Sequence, residues 1–336
     1  MDRVEAARNA LSCVLEARAG ESLTVVCDEE LEEVGRAFSS AALELGLWTR
    51  FIELPRERRP RKGVPPLLEA AVISDRPDIF VNVLRGGAEE TPFRIQLIGL
   101  ERRRRVRLGH CPGITMDMLT DGALALSERD YVELQARAQE LMRLCQGAVA
   151  LRVTCPEGTD LRLSVEGREF FTDTRLNWET LKWMNLPVGE VIVGPVETSA
   201  DGVLVCASAI GGIGLIEDAV RLEVRGGRVV RVQCPSAALR KRIERVQATD
   251  PWARCVGEFA VGLNKKARIM REFLETEKVA GTAHVAFGNN SDYPGGKNLS
   301  RTHQDFLITR PTVILELGSG GERVLLREGR FSVKGF

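Results

Sequence analysis

Histidine occurs three times and tyrosine twice in 336 residues, and aromatic side chains make up only 5%. Any imidazole chemistry therefore falls on His110, His284 or His303. Net charge is missing too, with Lys+Arg and Asp+Glu equal at 47 each. That balance excludes a nucleic acid or an anionic membrane gripped by the chain as a whole, so the expected partners include neither. The eight cysteines (Cys13, Cys27, Cys111, Cys145, Cys155, Cys206, Cys234, Cys255) contain no CxxC pair, and their scatter argues against a disulfide framework. No apolar run approaches the roughly 18 residues of a membrane span. The N-terminal segment lacks the apolar stretch of a secretory signal. Its Val4, Ala7, Leu11, Val14 and Leu15 fall on one helical face and read as a packing helix. The expectation is a soluble, reduced, cytoplasmic protein. A GxSxG elbow and a P-loop are absent, and Ala209 to Leu215 (AIGGIGL) lacks the full GxGxxG spacing and opens no helix.

What is present is an ordinary globular composition, 44% hydrophobic and 28% charged, in a chain long enough for two domains. The first half alternates strand and helix signals. Leu23 to Cys27, Trp48 to Leu54 and Ile79 to Leu84 read as strands, with a fourth beginning near Val106. Between the first two, Leu31, Val34, Phe38, Ala41, Ala42 and Leu45 form a helical face closed by Gly46. A long helix from about Glu128 to Leu144 closes this part. The pattern predicts an α/β N-terminal domain, residues 1–147, with a parallel sheet and helices. From Ala148 on, short β-like runs are separated by Gly, Asp and Pro. Hairpin turns are expected at Glu166-Gly167 and Gly226-Gly227, and helices near Pro235 to Gln247 and Lys265 to Glu277. This half, 148–336, reads as an α+β metal-binding catalytic domain rich in antiparallel strands.

The chemistry concentrates there. His303 and Asp305 stand at i and i+2, which on an extended strand sends both side chains to one face. His284 lies in GTAHVAFG, a few residues after Glu277. Glu190 and Glu258 each follow a glycine and enter an apolar run, where an ionised carboxylate needs a cation or hydrogen-bond donors. A single histidine on an apolar strand is ordinarily a hydrogen-bonded core residue, and a Glu after a Gly is commonly a strand-edge residue. The metal reading rests on five or six such residues falling in one half. Imidazoles and carboxylates together suit zinc, manganese, cobalt or iron(II). The arginine runs Pro55 to Gly63 and Glu101 to Arg107 read as solvated surface.

Asn185 to Val191 (NLPVGEV), Val256 to Asn264 (VGEFAVGLN), Glu277 to Gly288 (EKVAGTAHVAFG) and Gly295 to Phe306 (GGKNLSRTHQDF) together resemble the M29, or aminopeptidase T, metallopeptidases. Cys111 to Leu119 and Glu157 to Arg168 extend the likeness over about residues 20 to 320. The resemblance implies a two-metal exopeptidase that removes N-terminal amino acids from peptides, and a homodimer. It implies metal ligation by Glu190, Glu258, His284, His303 and Asp305, with two divalent ions (Zn, Co or Mn). Glu277 is then a ligand or the general base. The family tyrosine after the first histidine falls near Ser291, and Tyr293 is the nearest here. Some relatives of M29 peptidases are iron(II) ring-cleaving dioxygenases acting on dihydroxypyridines, with two histidines and one carboxylate on a single Fe(II). Those enzymes carry histidine where this chain keeps Glu258, which favours the hydrolase, although His284, His303 and Asp305 contain the elements of a triad. A non-enzymatic binding or assembly protein is disfavoured because carboxylates left without metal repel one another.

Overall fold

The computed structural model describes residues 1–102, 106–179 and 182–332. Two compact units emerge, each with its own core. The first comprises Met1–Gln135, Asp173–Val188 and Asn264–Arg268; the second comprises Ala136–Thr172, Gly189–Leu263 and Ile269–Phe336. A single cut at 147/148 would assign the two short returns of the first unit to the other side.

In the first unit five parallel strands lie in the order Trp48–Leu54, Ser22–Asp28, Ile79–Leu84, Arg107–Pro112 and Trp183–Asn185. The central Ile79–Leu84 strand is buried at every position, as a sheet covered on both faces requires. Alternation divides its neighbours' side chains. Val26 packs with Phe80, Phe93, Leu97 and Val72 under the helices Pro66–Ser74 and Thr91–Glu101. Cys27 instead faces the helix Glu32–Glu44, and so closely that a Cβ on Gly35 would meet Cys27 Sγ at 2.6 Å. The α/β class holds, with two helices that the sequence pattern had not separated from loops. Arg61, read as surface, is buried and paired with Asp28 at 2.6 Å. In the run Glu101 to Arg107, also read as surface, Glu101 and Arg107 are buried, Arg107 pairing with Glu21 at 2.7 Å, and residues 103–105 lie outside the described residues.

The second unit holds an eight-stranded sheet and a seven-stranded sheet, both antiparallel throughout the pairings observed. In the larger, Val220–Arg225 alternates buried and outward residues and turns through Gly226-Gly227 into Arg228–Gln233, the expected hairpin. At Glu166-Gly167 a turn forms, Arg168 N donating to Val165 O at 3.0 Å, but the hairpin expectation is corrected. Ala148–Thr154 pairs with Asp160–Ser164 through residues 155–159, and Gly167 lies beyond that hairpin. The helix expected over Lys265 to Glu277 is corrected as well, since only Phe273–Thr276 is helical. Side chains outbid the helix for backbone donors there: Lys266 N donates to Asn264 Oδ1 at 3.0 Å, and Met270 N to Thr276 Oγ1 at 2.8 Å. Among the described residues no helix is long and apolar enough to cross a membrane. All eight cysteines are free thiols.

Candidate metal centre

Four adjacent strands of the seven-stranded sheet carry five of the expected ligands. In order they are His303–Ile308, Ala283–Gly288, Val256–Gly262 and Glu190–Val193. Residues opposite one another in an antiparallel ladder project from the same face. Asp305 pairs with Ala286 and Ala286 with Glu258, giving one row; Gly262 pairs with Glu190, and Ala260 with His284. Steps of two along each strand bring His303, His284 and Glu190 onto the face of that row. Small residues at the intervening positions, Ala260, Gly262, Ala286 and Gly288, leave room there for the long acids and the imidazoles.

Two glycines make the approach possible. The ladder shifts register between Val256 and Glu258, and a Cβ on the intervening Gly257 would meet Gly288 O at 2.4 Å. Such a bulge re-aims the next side chain, here Glu258. Gly211, in the Ala209 to Leu215 turn, donates its N–H to Asp305 O at 2.9 Å, and a Cβ there would lie 2.8 Å from Asp305 Oδ2.

Glu258 is central. His284 Nε2 lies 3.3 Å from its Oε1, and His303 Nε2 3.0 Å from its Oε2. His303 Nε2 is also 3.1 Å from Asp305 Oδ1, while its Nδ1 sits 2.8 Å from Asn289 O, a contact that fixes the ring orientation. His284 Nε2 is 3.5 Å from Glu190 Oε1 and 4.0 Å from Asp305 Oδ1. Tyr293 Oη donates to Glu258 Oε2 at 2.6 Å, its ring edge-on to Phe171 with centroids 5.0 Å apart. Its loop is pinned from behind. Arg168 reaches Glu197 at 2.6 Å and Gly295 O at 2.5 Å, and Glu197 also accepts from Lys297 N at 2.7 Å and Asn290 Nδ2 at 3.2 Å. This network sets Tyr293 two positions beyond the expected Ser291 and still delivers its hydroxyl to the site.

Glu277 follows the short helix and is buried in the same cluster. Beside it lies a residue that sequence reasoning missed. Lys278 is buried, with Nζ 2.9 Å from Glu277 Oε1 and 2.5 Å from Glu190 Oε2. Its only sequence signal is the Glu-Lys adjacency, which reads equally well as an exposed pair. His110 takes no part; it is buried in the Arg107–Pro112 strand of the first unit, and burial pushes its imidazole down to about 3.

Charge governs the titration behaviour. Burial acts against ionised His284, but Glu190, Glu258 and Asp305 outweigh it and carry the imidazole up to about 9. His303 rises well above its usual value for the same reason, burial being overcome chiefly by Asp305 and Glu258. Burial would raise Glu258, yet the two imidazoles hold it well below the carboxylate range. Glu277 moves up, through burial and the charge of Asp305, with Lys278 opposing. Tyr293 is pushed well above 10 by burial and by Glu258.

Three groupings place their ligand atoms within 4.8 Å of one another: Glu190–Glu258–His284, Glu258–His303–Asp305 and Glu277–His284–Asp305. Each joins one imidazole to two carboxylates, and Glu258, His284 and Asp305 each serve two groupings. Buried acids in such excess call for cations, and a donor set without thiolate fits divalent zinc, cobalt, manganese or iron.

Comparison with known proteins gives a family and a fold. Residues 127–331 match the family profile Peptidase M29, described as thermophilic metalloprotease (M29). No curated protein matches the chain. Among solved structures, the 2,5-dihydroxypyridine dioxygenase from Pseudomonas putida KT2440 is similar with a TM-score of 0.71 at 17% identity, over 99% of this chain and 97% of that one. Wild-type AmpT from Thermus thermophilus is similar with a TM-score of 0.69 at 18% identity, over 98% of this chain and 99% of that one. At these identities the structural likeness is one of fold.

Proposed function

Because the chain belongs to the M29 metallopeptidase family, we propose that it is an aminopeptidase, hydrolysing N-terminal residues from peptides with two divalent ions. The observation that carries this reading is the sharing of Glu258 between two ligand groupings on one sheet face. Glu190, Glu258 and His284 would hold one ion, and Glu258, His303 and Asp305 the other. Zinc, cobalt or manganese suits both. When bound, such ions lower the pKa of a water towards neutrality and polarise a scissile carbonyl.

The chain's own residues supply the rest. Glu277, its carboxyl raised by burial, is suited to take a proton and pass it to the leaving amine. Tyr293 keeps its proton at working pH and so remains a hydrogen-bond donor, suited to an oxyanion developing beside Glu258. The acidic surroundings favour a substrate's free α-ammonium. Peptide as substrate and a homodimeric state belong to this proposal and follow the family resemblance, and a cytoplasmic location belongs to it on the sequence pattern.

A mononuclear iron(II) dioxygenase on the same scaffold would need His284, His303 and Asp305 on one ion. The groupings present instead pair each histidine with two carboxylates, which favours the hydrolase. Elemental analysis of anaerobically purified protein, followed by a panel of aminoacyl-p-nitroanilides, tests the proposal. Two zinc, cobalt or manganese ions with amide hydrolysis are expected. One iron, with oxygen uptake on dihydroxylated rings and no hydrolysis, would overturn it.

A further inference from the structure

Lys278 places an ammonium within the carboxylate cluster, against two acids of the ligand groupings. Its ammonium touches Glu190 Oε2 and Glu277 Oε1, while Glu190 Oε1 stands on the side of His284. The placement is built into the fold. The turn carrying Lys278 passes so close to the Val256–Gly262 strand that a Cβ on Gly262 would meet Val279 O at 2.2 Å and Lys278 C at 2.9 Å. Glycine at 262 therefore lets the lysine backbone through, and the side chain runs inward to be buried. A buried lysine is retained as a cation only where acids surround it, and here two do.

We propose that Lys278 is a positioning residue that apportions the acids: it occupies one oxygen of Glu190, so that this side chain offers the metal site a single oxygen, and by taking Glu277 Oε1 it keeps Glu277, which also stands within reach of His284 and Asp305, as the proton carrier and not a third ligand of either ion. The inference rests on the two-metal reading above. Glu190, Glu258, Glu277 and Asp305 bring four negative charges, and Lys278 cancels one. A lysine that merely filled space would, on removal, loosen the site and weaken metal binding. A lysine that withholds acids from the metal does the opposite, because its removal frees carboxylate charge and oxygens for chelation.

The test is calorimetric titration of the metal-free full-length chain with MnCl2 at pH 8. The Lys278→Met variant is expected to bind Mn2+ about tenfold or more tighter than wild type, since a unit positive charge at contact distance opposes a divalent ion strongly at protein-like dielectric. Its kcat should fall as Glu277 is drawn to the metal. Lys278→Arg should stay within about threefold of wild type in affinity, and the double variant Lys278→Met/Glu277→Gln, which restores the wild-type charge sum, should return towards it. Folded Lys278→Met that binds Mn2+ equally or more weakly overturns the inference and leaves the hydrolase reading standing. If Lys278→Met does not fold, the double variant decides: folded and near wild-type in affinity it supports the inference, and unfolded it overturns it. Wild type that takes up none of Mn2+, Zn2+ and Co2+ removes the hydrolase reading, and the inference with it.

Discussion

The Tyr293 hydroxyl lies 2.6 Å from Glu258 Oε2 and donates to it, so the same carboxylate oxygen that faces His303 is held by a neutral donor. The phenol is half-buried, edge-on to Phe171, and stays protonated far above neutrality. Tyr293→Phe keeps the ring and removes only the donor. Its metal content should equal that of wild type, while kcat falls by about 100-fold, the order measured for loss of one oxyanion donor. Unchanged kcat would remove Tyr293 from the chemistry.

Glu258 and His303 differ in how many groupings they serve. Glu258 serves two, His303 one. Glu258→Ala should therefore lose both ions, whereas His303→Ala should keep the one held by Glu190, Glu258 and His284. Elemental analysis after gel filtration counts them. Either variant with full metal occupancy and full activity would sink that residue's assignment.

Local pattern carried much of this site. The i, i+2 spacing of His303 and Asp305 fixes their common face, because strand periodicity is two whatever the strand pairs with. Glu190 and Glu258 stood out as acids entering apolar runs. The register that sets Asp305, Ala286 and Glu258 in one row is different in kind. It depends on the bulge at Gly257 and on the order of four strands, and no local signal encodes it. Lys278 was hidden because burial cannot be read from a Glu-Lys pair. The helix expected from Lys265 failed for a related reason: Asn264 and Thr276 take backbone donors with their side chains, and periodicity is blind to that competition. The fold class was legible as strand–helix alternation in the first half. The return of residues 173–188 and 264–268 to the first unit was not, since those contacts are made across long sequence separations.

Arg168 and Glu197 are both largely buried and form a 2.6 Å pair that anchors the loop bearing Tyr293. Arg168→Met leaves Glu197 without its cation and should cost about 3 kcal/mol of stability in urea titration. Because Arg168 also holds Gly295 O, kcat should drop several-fold with metal content unchanged. Loss of metal in step with activity would place the pair in support of the ligands and not of the tyrosine.

In the first unit, Glu101 is fully buried and accepts a hydrogen bond from Asn82 Nδ2 at 2.6 Å. Burial raises its carboxyl from 4.5 to about 8, the Asn82 contact pulling weakly the other way. The sign follows from linkage. Between pH 4.5 and 8 the unfolded chain releases this proton while the folded chain keeps it, so stability falls as pH rises through that window. The loss amounts to at most roughly 5 kcal/mol, at about 1.4 per pH unit. Glu101→Gln retains an oxygen for Asn82 and abolishes the titration. Its urea midpoint should match wild type near pH 4.5 and exceed it increasingly towards pH 8, with no further divergence above that. An advantage of the same size at both ends of the range would mean that Glu101 is ionised in the folded protein throughout, and that a cation or donor outside this pair holds its charge.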